Sequence, residues 1–415
     1  MNTKKSSVYI KNTLTDNVVV IVFFILCVGG FFAAGISLPF FVNDLISRIV
    51  RNMFIVLALI IPVIAGMGLN FAVVLGAMGA QFALIMATYW EWGGFSGIML
   101  TILLSLPLNI CFGYLTGKLF NRSKGKEMIS GLILGFFALG VYMFILLVLV
   151  GPVIPMDNPD MVLSSGIGLR VSIDIMDLRY GLDNILKIKL SQFALIASAV
   201  FLAVYLYQLI KKGNKKKVRG IVISALVAVW GLIELFSPSI TGNQRVPVVS
   251  FGFIGLLCLF TVFIFRTKLG QDFKAVGQDQ HISLVSGISV DRVRLIAIVL
   301  STVFAGIGQI MFIQNMGVFS TYGAHEQAGL FAVASILVGG ATVAKATIVH
   351  AVVGTILFHS LFIISPLAAQ TLFGNAQVGE YFRVFLAYAV IGAALAMYAW
   401  KLQAVTKREL EESSA

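Results

Sequence analysis

Polar side chains set inside apolar runs are where this sequence could do chemistry. Asn70 and Gln81 lie in the run 53–89. Neutral amides there can hydrogen-bond the hydroxyls of a small solute, or satisfy backbone groups freed at Gly66 and Gly68. Phe71 offers an aromatic face to a sugar or a base. Tyr89 and Trp90 could do the same, although an aromatic belt at the membrane boundary is the stronger reading of that pair. Gln309, Gln314 and Asn315 sit in a later run, where they either reach a solute pathway or bond between helices. His359 is kept as a pathway candidate beside the reading of His350 and His359 as packing histidines, and Lys345 reads as an anchor.

Catalytic constellations are missing from this pattern. The sequence contains no G-x-x-x-x-G-K-[ST], H-E-x-x-H or G-x-S-x-G, and its four histidines and three cysteines have no metal-ligand spacing. No catalytic residue, metal or cofactor of the chain's own is therefore expected. Among the carboxylates only Glu234 falls inside an apolar run, and ion-coupled transporters place ionisable groups at membrane depth.

The elements that must position these residues follow from composition. Of 415 residues, 59% are apolar and 12% charged, and the mean hydropathy is +0.97. A soluble fold has too few polar residues here to coat its surface. Twelve apolar runs between residues 18 and 400 imply a polytopic all-α membrane protein. The net charge of +12 is carried by short clusters between runs, such as Lys118–Lys126, Lys211–Arg219 and Arg266–Lys274. That distribution orients a membrane protein, with both termini in the cytoplasm, and argues against nucleic acid as a partner.

Two runs are interrupted: 53–89 by Pro62, Gly66, Gly68, Asn70 and Gly76, and 328–364 by Gly339, Gly340, Lys345 and Gly354. One broken segment in each half points to inverted-repeat halves with a pathway between them, giving ten to twelve transmembrane helices. Close helix packing through small residues is the plainer alternative. The stretch 151–190 reads as an outer cap of loop and short amphipathic helix. Residues 266–294 form the longest charged inner loop, which Gly270, Gly277 and Gly287 would break into short helices. The whole chain, 1–415, reads as a single transmembrane domain with cytoplasmic tails 1–17 and 401–415.

That loop carries a resemblance. Thr267, Gly270, Ala275 and Gly277, followed by Ser286, Gly287, Ile288, Val290 and Arg292, are similar to the T-x-x-G-x-x-x-x-A-x-G and S-G-I-x-V-x-R pattern of bacterial ABC importer permeases, the branched-chain-amino-acid, ribose and simple-sugar family. Ser301, Ala305, Gly306 and Gly308, then AVASILVGGAT, KGKEMISGLILGF and GLNFAVVLGA, resemble further segments of the same permeases. The chain departs from the ribose type at Asn70 and Ala72, where that type has Asp and Ser, and at Ile282, Ser283 and Ala344–Thr347. The resemblance implies a bacterial inner-membrane permease domain that imports a small neutral hydroxylated solute such as galactose, glucose or ribose. A nucleoside is the alternative solute, and a stand-alone secondary transporter or channel is the alternative class. It implies a separate ATPase carrying ATP and Mg, an extracytoplasmic solute-binding protein, a second permease copy or sister permease, and surrounding lipid. Gly270, Asp272, Ala275, Gly277, Gly287 and Arg292 would form the ATPase-coupling loop.

Overall fold

A computed structural model describes residues 18–212, 218–385, 387–393 and 396, so the tails 1–17 and 401–415 lie outside the described residues. The chain runs through α1 (Val18–Ala34), α2 (Leu38–Ala58), α3 (Ile60–Ile64), α4 (Val73–Tyr89), α5 (Gly94–Arg122) and α6 (Glu127–Phe144). After the cap come α7 (Leu190–Lys212), α8 (Val218–Phe236), α9 (Val248–Ile264), α10 (Lys268–Gln278) and α11 (Gln280–Val285). The last named helices are α12 (Val290–Met316), α13 (Glu326–Val338) and α14 (Ile348–Phe373), and residues 376–385 and 387–393 are helical as well.

Six described helices are long and apolar enough to cross a bilayer, or seven if α9 and α10, bent by 75°, count as one span. Four shorter apolar helices, starting at Val18, Val73, Gly220 and Glu326, accompany them. At 1.5 Å per residue a 13-residue helix such as α13 covers only about 20 Å of a ~30 Å hydrocarbon layer. The interrupted runs thus resolve into part-length helices beside full-length ones.

Helix α12 is the axis of the bundle and packs against α2, α4 and α5. Backbones come close there because glycines face one another's helices: a Cβ on Gly113 would lie 2.8 Å from the Cα of Val299, and one on Gly308 2.5 Å from Ile55. Gly76 abuts the Thr302 carbonyl and Gly306 abuts the Asn109 amide. Apolar helices gain nothing from leaving lipid for one another, so close van der Waals contact through small residues is what holds such a bundle. By contrast, α7 and α8 pack mainly on each other at the periphery, with Gly231 against Leu195.

Both interruptions are real breaks, and they meet. After α3 the chain reverses through Gly66 (φ +76°) and Gly68 (φ +69°), backbone that a side chain would strain. After α13 it turns through Gly340 (φ +90°) and a Thr342–Lys345 bridge, and Thr347 caps α14 by accepting from the His350 amide at 3.2 Å. A Cβ on Gly68 would come within 2.9 Å of Val343, so the two breaks sit side by side at the end of the bundle that carries α10 and α11. We call this the loop end, and the opposite one the cap end.

Four readings from sequence need correction. Helix α2 begins at Leu38, well before residue 53, because Asn43, Asp44, Arg48 and Arg51 dilute the hydropathy of a helix whose other face is apolar. The cap, expected as loop and short amphipathic helix, is mostly loop with one short 3-10 turn (Met176–Leu178), and its strands β1 (Ser172–Asp174) and β2 (Lys187–Lys189) pair antiparallel with β4 (Val318–Ser320) and β3 (Arg245–Pro247) beyond it. The loop 266–294 breaks at Asp279 and Gly287, while Gly270 and Gly277 lie inside α10. Asp279 caps α11 by accepting from the Ile282 amide at 2.9 Å. Finally, Glu234, half-buried, is not the only carboxylate in an apolar helix among the described residues: Asp44 lies in α2, and Glu127, which is buried, begins α6.

Candidate functional site

A cavity of about 500 Å³ opens between α4, α6, α13 and the helix 387–393. Phe71, Val74 and Met78 line it from the start of α4, and Met128, Leu132 and Phe136 from α6. Helix α13 contributes Glu326, Gln327 and Leu330, and the 387–393 helix contributes Tyr388 and Ile391. The position of α4 and α13 explains this geometry. Helix α4 starts just after the Gly66–Gly68 break and α13 just after segment 321–325, so each presents a helix start to the cavity rather than a continuous wall.

Of the residues singled out from sequence, Phe71 lines the cavity and none of the amides does. Asn70 is buried and donates to the Ser301 hydroxyl of α12 at 3.3 Å. The Gln81 carbonyl oxygen accepts from the Tyr142 hydroxyl at 2.8 Å and lies 2.5 Å from Nδ1 of His325. Gln309 donates to the Ala324 carbonyl at 3.2 Å, next to His325. His359, also buried, packs edge-on against Phe358 and Phe362 with no hydrogen-bond partner for either ring nitrogen. Asn315 stands apart at the cap end, accepting from Nε of Arg51 at 2.5 Å and donating to Asp183.

Two buried polar clusters were missed from sequence. Tyr142, Gln81 and His325 form one, placed behind the cavity wall. The Tyr142 hydroxyl shares its single proton with the Thr321 carbonyl at 3.0 Å, and its ring meets that of His325 at 4.5 Å. The cluster thereby fixes segment 321–325, which leads straight into Glu326. A carboxylate in the first turn before the run 328–344 was the available signal for this helix start. The second cluster joins the cap to the bundle: Asp183 accepts from Ser250 of α9 and Asn315 of α12, and Gln314 accepts from the Leu182 amide at 3.3 Å.

At the loop end, α10 lies directly on the first break. A Cβ on Gly66 would be 2.8 Å from the Cα of Gly277, and Gly277 in turn abuts the Ile64 carbonyl. Gly270 sits tightly on Ile264 and Phe265, and the buried Phe273 and Val276 anchor α10 beside it. Asp272 and Ala275 are half-buried, while Gly287 and Arg292 are exposed. Helix α11 displays Ile282, Leu284 and Val285 at 64%, 62% and 78% exposure. Arg294 is fully buried and pairs with Glu127 at 2.5 Å, tying the α5–α6 turn to the start of α12.

A broken-helix membrane bundle with a cavity between its helix starts, and an amphipathic loop packed on one break, has the build of a solute-transporting membrane domain. The family of branched-chain amino acid transport system permease components has a model that matches residues 77–395, and the chain belongs to that family. It is therefore a multi-pass ABC-type permease, the transport component of a system whose members move branched-chain amino acids and sugars together with ATPase and binding-protein partners. The matched region includes the loop 266–294, Gln81 and α13, and leaves out Asn70 and Phe71. No curated protein and no solved structure was found to match the chain.

Proposed function

We propose that this chain is the permease of a bacterial inner-membrane ABC importer for a small neutral, hydroxyl-bearing solute, and that a nucleoside fits it better than a free sugar. The supporting observation is the cavity's chemistry: aromatic, methionine and aliphatic walls with Glu326, Gln327 and Tyr388 as its residues with polar groups. A hexose carries hydroxyls around its whole ring, and each one removed from water without a partner costs about 1–3 kcal/mol. A nucleoside lays a planar base on Phe71 and Phe136 and keeps its polar groups to two edges. A zwitterionic amino acid could offer its ammonium to Glu326, but no Lys or Arg lines the described cavity to meet its carboxylate.

In this reading ATP and Mg are bound by a separate ATPase and the permease carries no cofactor. The loop end faces the cytoplasm, and the apolar face of α11 beside α10 is where the ATPase docks, since exposed apolar residues on a water-facing loop mark a partner surface. Movement of α10 is passed to the Gly66 break through its contact with Gly277, and so to the start of α4. An extracytoplasmic binding protein delivers solute at the cap, and a second permease copy or sister completes the pathway. Affinity purification of the tagged permease from native membranes tests this: an ATPase and a binding protein should co-purify, and the binding protein should be stabilised by nucleosides in a thermal-shift screen. Ile282→Asp with Leu284→Asp should release the ATPase alone. Retention of the ATPase by that variant overturns the docking role, and stabilisation by leucine alone overturns the solute.

A further inference from the structure

We infer that Glu326 is the specificity-determining residue of the cavity, accepting a hydrogen bond from an N–H on the edge of the solute's base, and that Tyr142 and His325 are the residues that position it. This rests on the reading of the cavity as a nucleoside pathway. Glu326 and Gln327 are the side chains of the α13 start that reach the cavity, and the other walls are apolar apart from Tyr388. A carboxylate in such surroundings accepts hydrogen bonds and cannot donate them when ionised, so it favours a base edge that carries an N–H and disfavours anionic relatives such as phosphorylated nucleosides.

The carboxylate's place is set from behind. His325 directly precedes it and is buried, with Nδ1 held 2.5 Å from the Gln81 carbonyl oxygen on α4. The single hydroxyl proton of Tyr142, on α6, is shared between that oxygen at 2.8 Å and the Thr321 carbonyl at 3.0 Å. Gln309 of α12 holds the Ala324 carbonyl. Three helices thus clamp residues 321–325, and Glu326 begins the helix that leaves the clamp. Neither Tyr142 nor His325 lines the cavity, so their effect on selection is indirect.

The test reads occupancy of the cavity in the full-length permease. With Cys27, Cys111 and Cys258 replaced by serine, Leu132→Cys supplies a reporter on the α6 wall, and its maleimide labelling is followed in detergent. Uridine should slow labelling, and 3-methyluridine, which lacks the N3–H, should need roughly tenfold higher concentration for the same protection, as expected for loss of a hydrogen bond to a charged group. Glu326→Ala should bring the two curves together, with Glu326→Gln between. Tyr142→Phe, which keeps the ring, should narrow the difference while leaving labelling without nucleoside unchanged. Equal protection by uridine and 3-methyluridine in the parent, or a preference that survives Glu326→Ala, overturns the inference alone. Protection by galactose or leucine with none from either nucleoside overturns the nucleoside reading beneath it. An unaltered difference in Tyr142→Phe removes the positioning role.

Discussion

Arg294 and Glu127 form the least exposed ion pair among the described residues. The guanidinium also donates to the Phe120 carbonyl and the Asn121 side chain, both at 3.1 Å, so its partners come from the end of α5 and the start of α6. Removing one member of a buried pair strands the other, at a cost of about 3–5 kcal/mol. Glu127→Gln should therefore lower the thermal midpoint of the detergent-solubilised protein clearly, and the double change Glu127→Gln with Arg294→Met should recover part of the loss. An unchanged midpoint in the single variant would show that the pair contributes little. Asp183 allows a second residue-scale expectation. Asp183→Asn leaves Ser250 and Asn315 bidding for a neutral acceptor, so backbone amide exchange in residues 172–189 should quicken relative to α12. These pairings were not legible in the sequence, because Glu127 and Arg294 are 167 positions apart and nothing in either neighbourhood marks the other. Phe71 was legible as a wall of the cavity. In the sequence, Asn70 and Gln81 read as solute-pathway amides or as partners of backbone freed at Gly66 and Gly68, and the fold gives them Ser301, Tyr142 and His325 instead.

Among the elements, the proposed mechanism makes α10 and the break at Gly66 the joint through which work passes between partner and cavity. Gly277 admits no side chain there, since a Cβ would run into the Ile64 carbonyl, and the backbone of α3 cannot yield as a flexible side chain would. Gly277→Val should abolish uptake at matched expression while the protein still inserts and keeps its helix content, because α10 must lift off the break. Uptake equal to the parent's would show that this contact does not transmit. The existence of the breaks was readable from Gly and Pro inside apolar runs, as was the polar character of the loop. Their meeting at one end was not, since it depends on how helices far apart in sequence pack. The start of α2 at Leu38 was hidden because hydropathy averages over both faces of a helix and its polar face carries Asp44, Arg48 and Arg51. The strands of the cap are three residues long, too short to leave an alternating pattern.

At the scale of the whole molecule, the fold class followed from composition, because a chain this apolar can only be a membrane bundle. Its sidedness rests on where Lys and Arg fall between the spans. With native cysteines removed, Ser123→Cys at the loop end should resist an impermeant reagent in intact cells, and Ser165→Cys in the cap should react. The reverse pattern would turn the bundle over and place the loop 266–294, proposed to dock the ATPase, outside. The central claim joins the cavity to the energy source and is tested most directly by reconstituted uptake. Vesicles holding the permease, its ATPase and its binding protein should accumulate labelled uridine or inosine when ATP and Mg are supplied on the side of the ATPase, and should not do so without ATP. Accumulation of leucine under the same conditions, with both nucleosides excluded, would contradict the account.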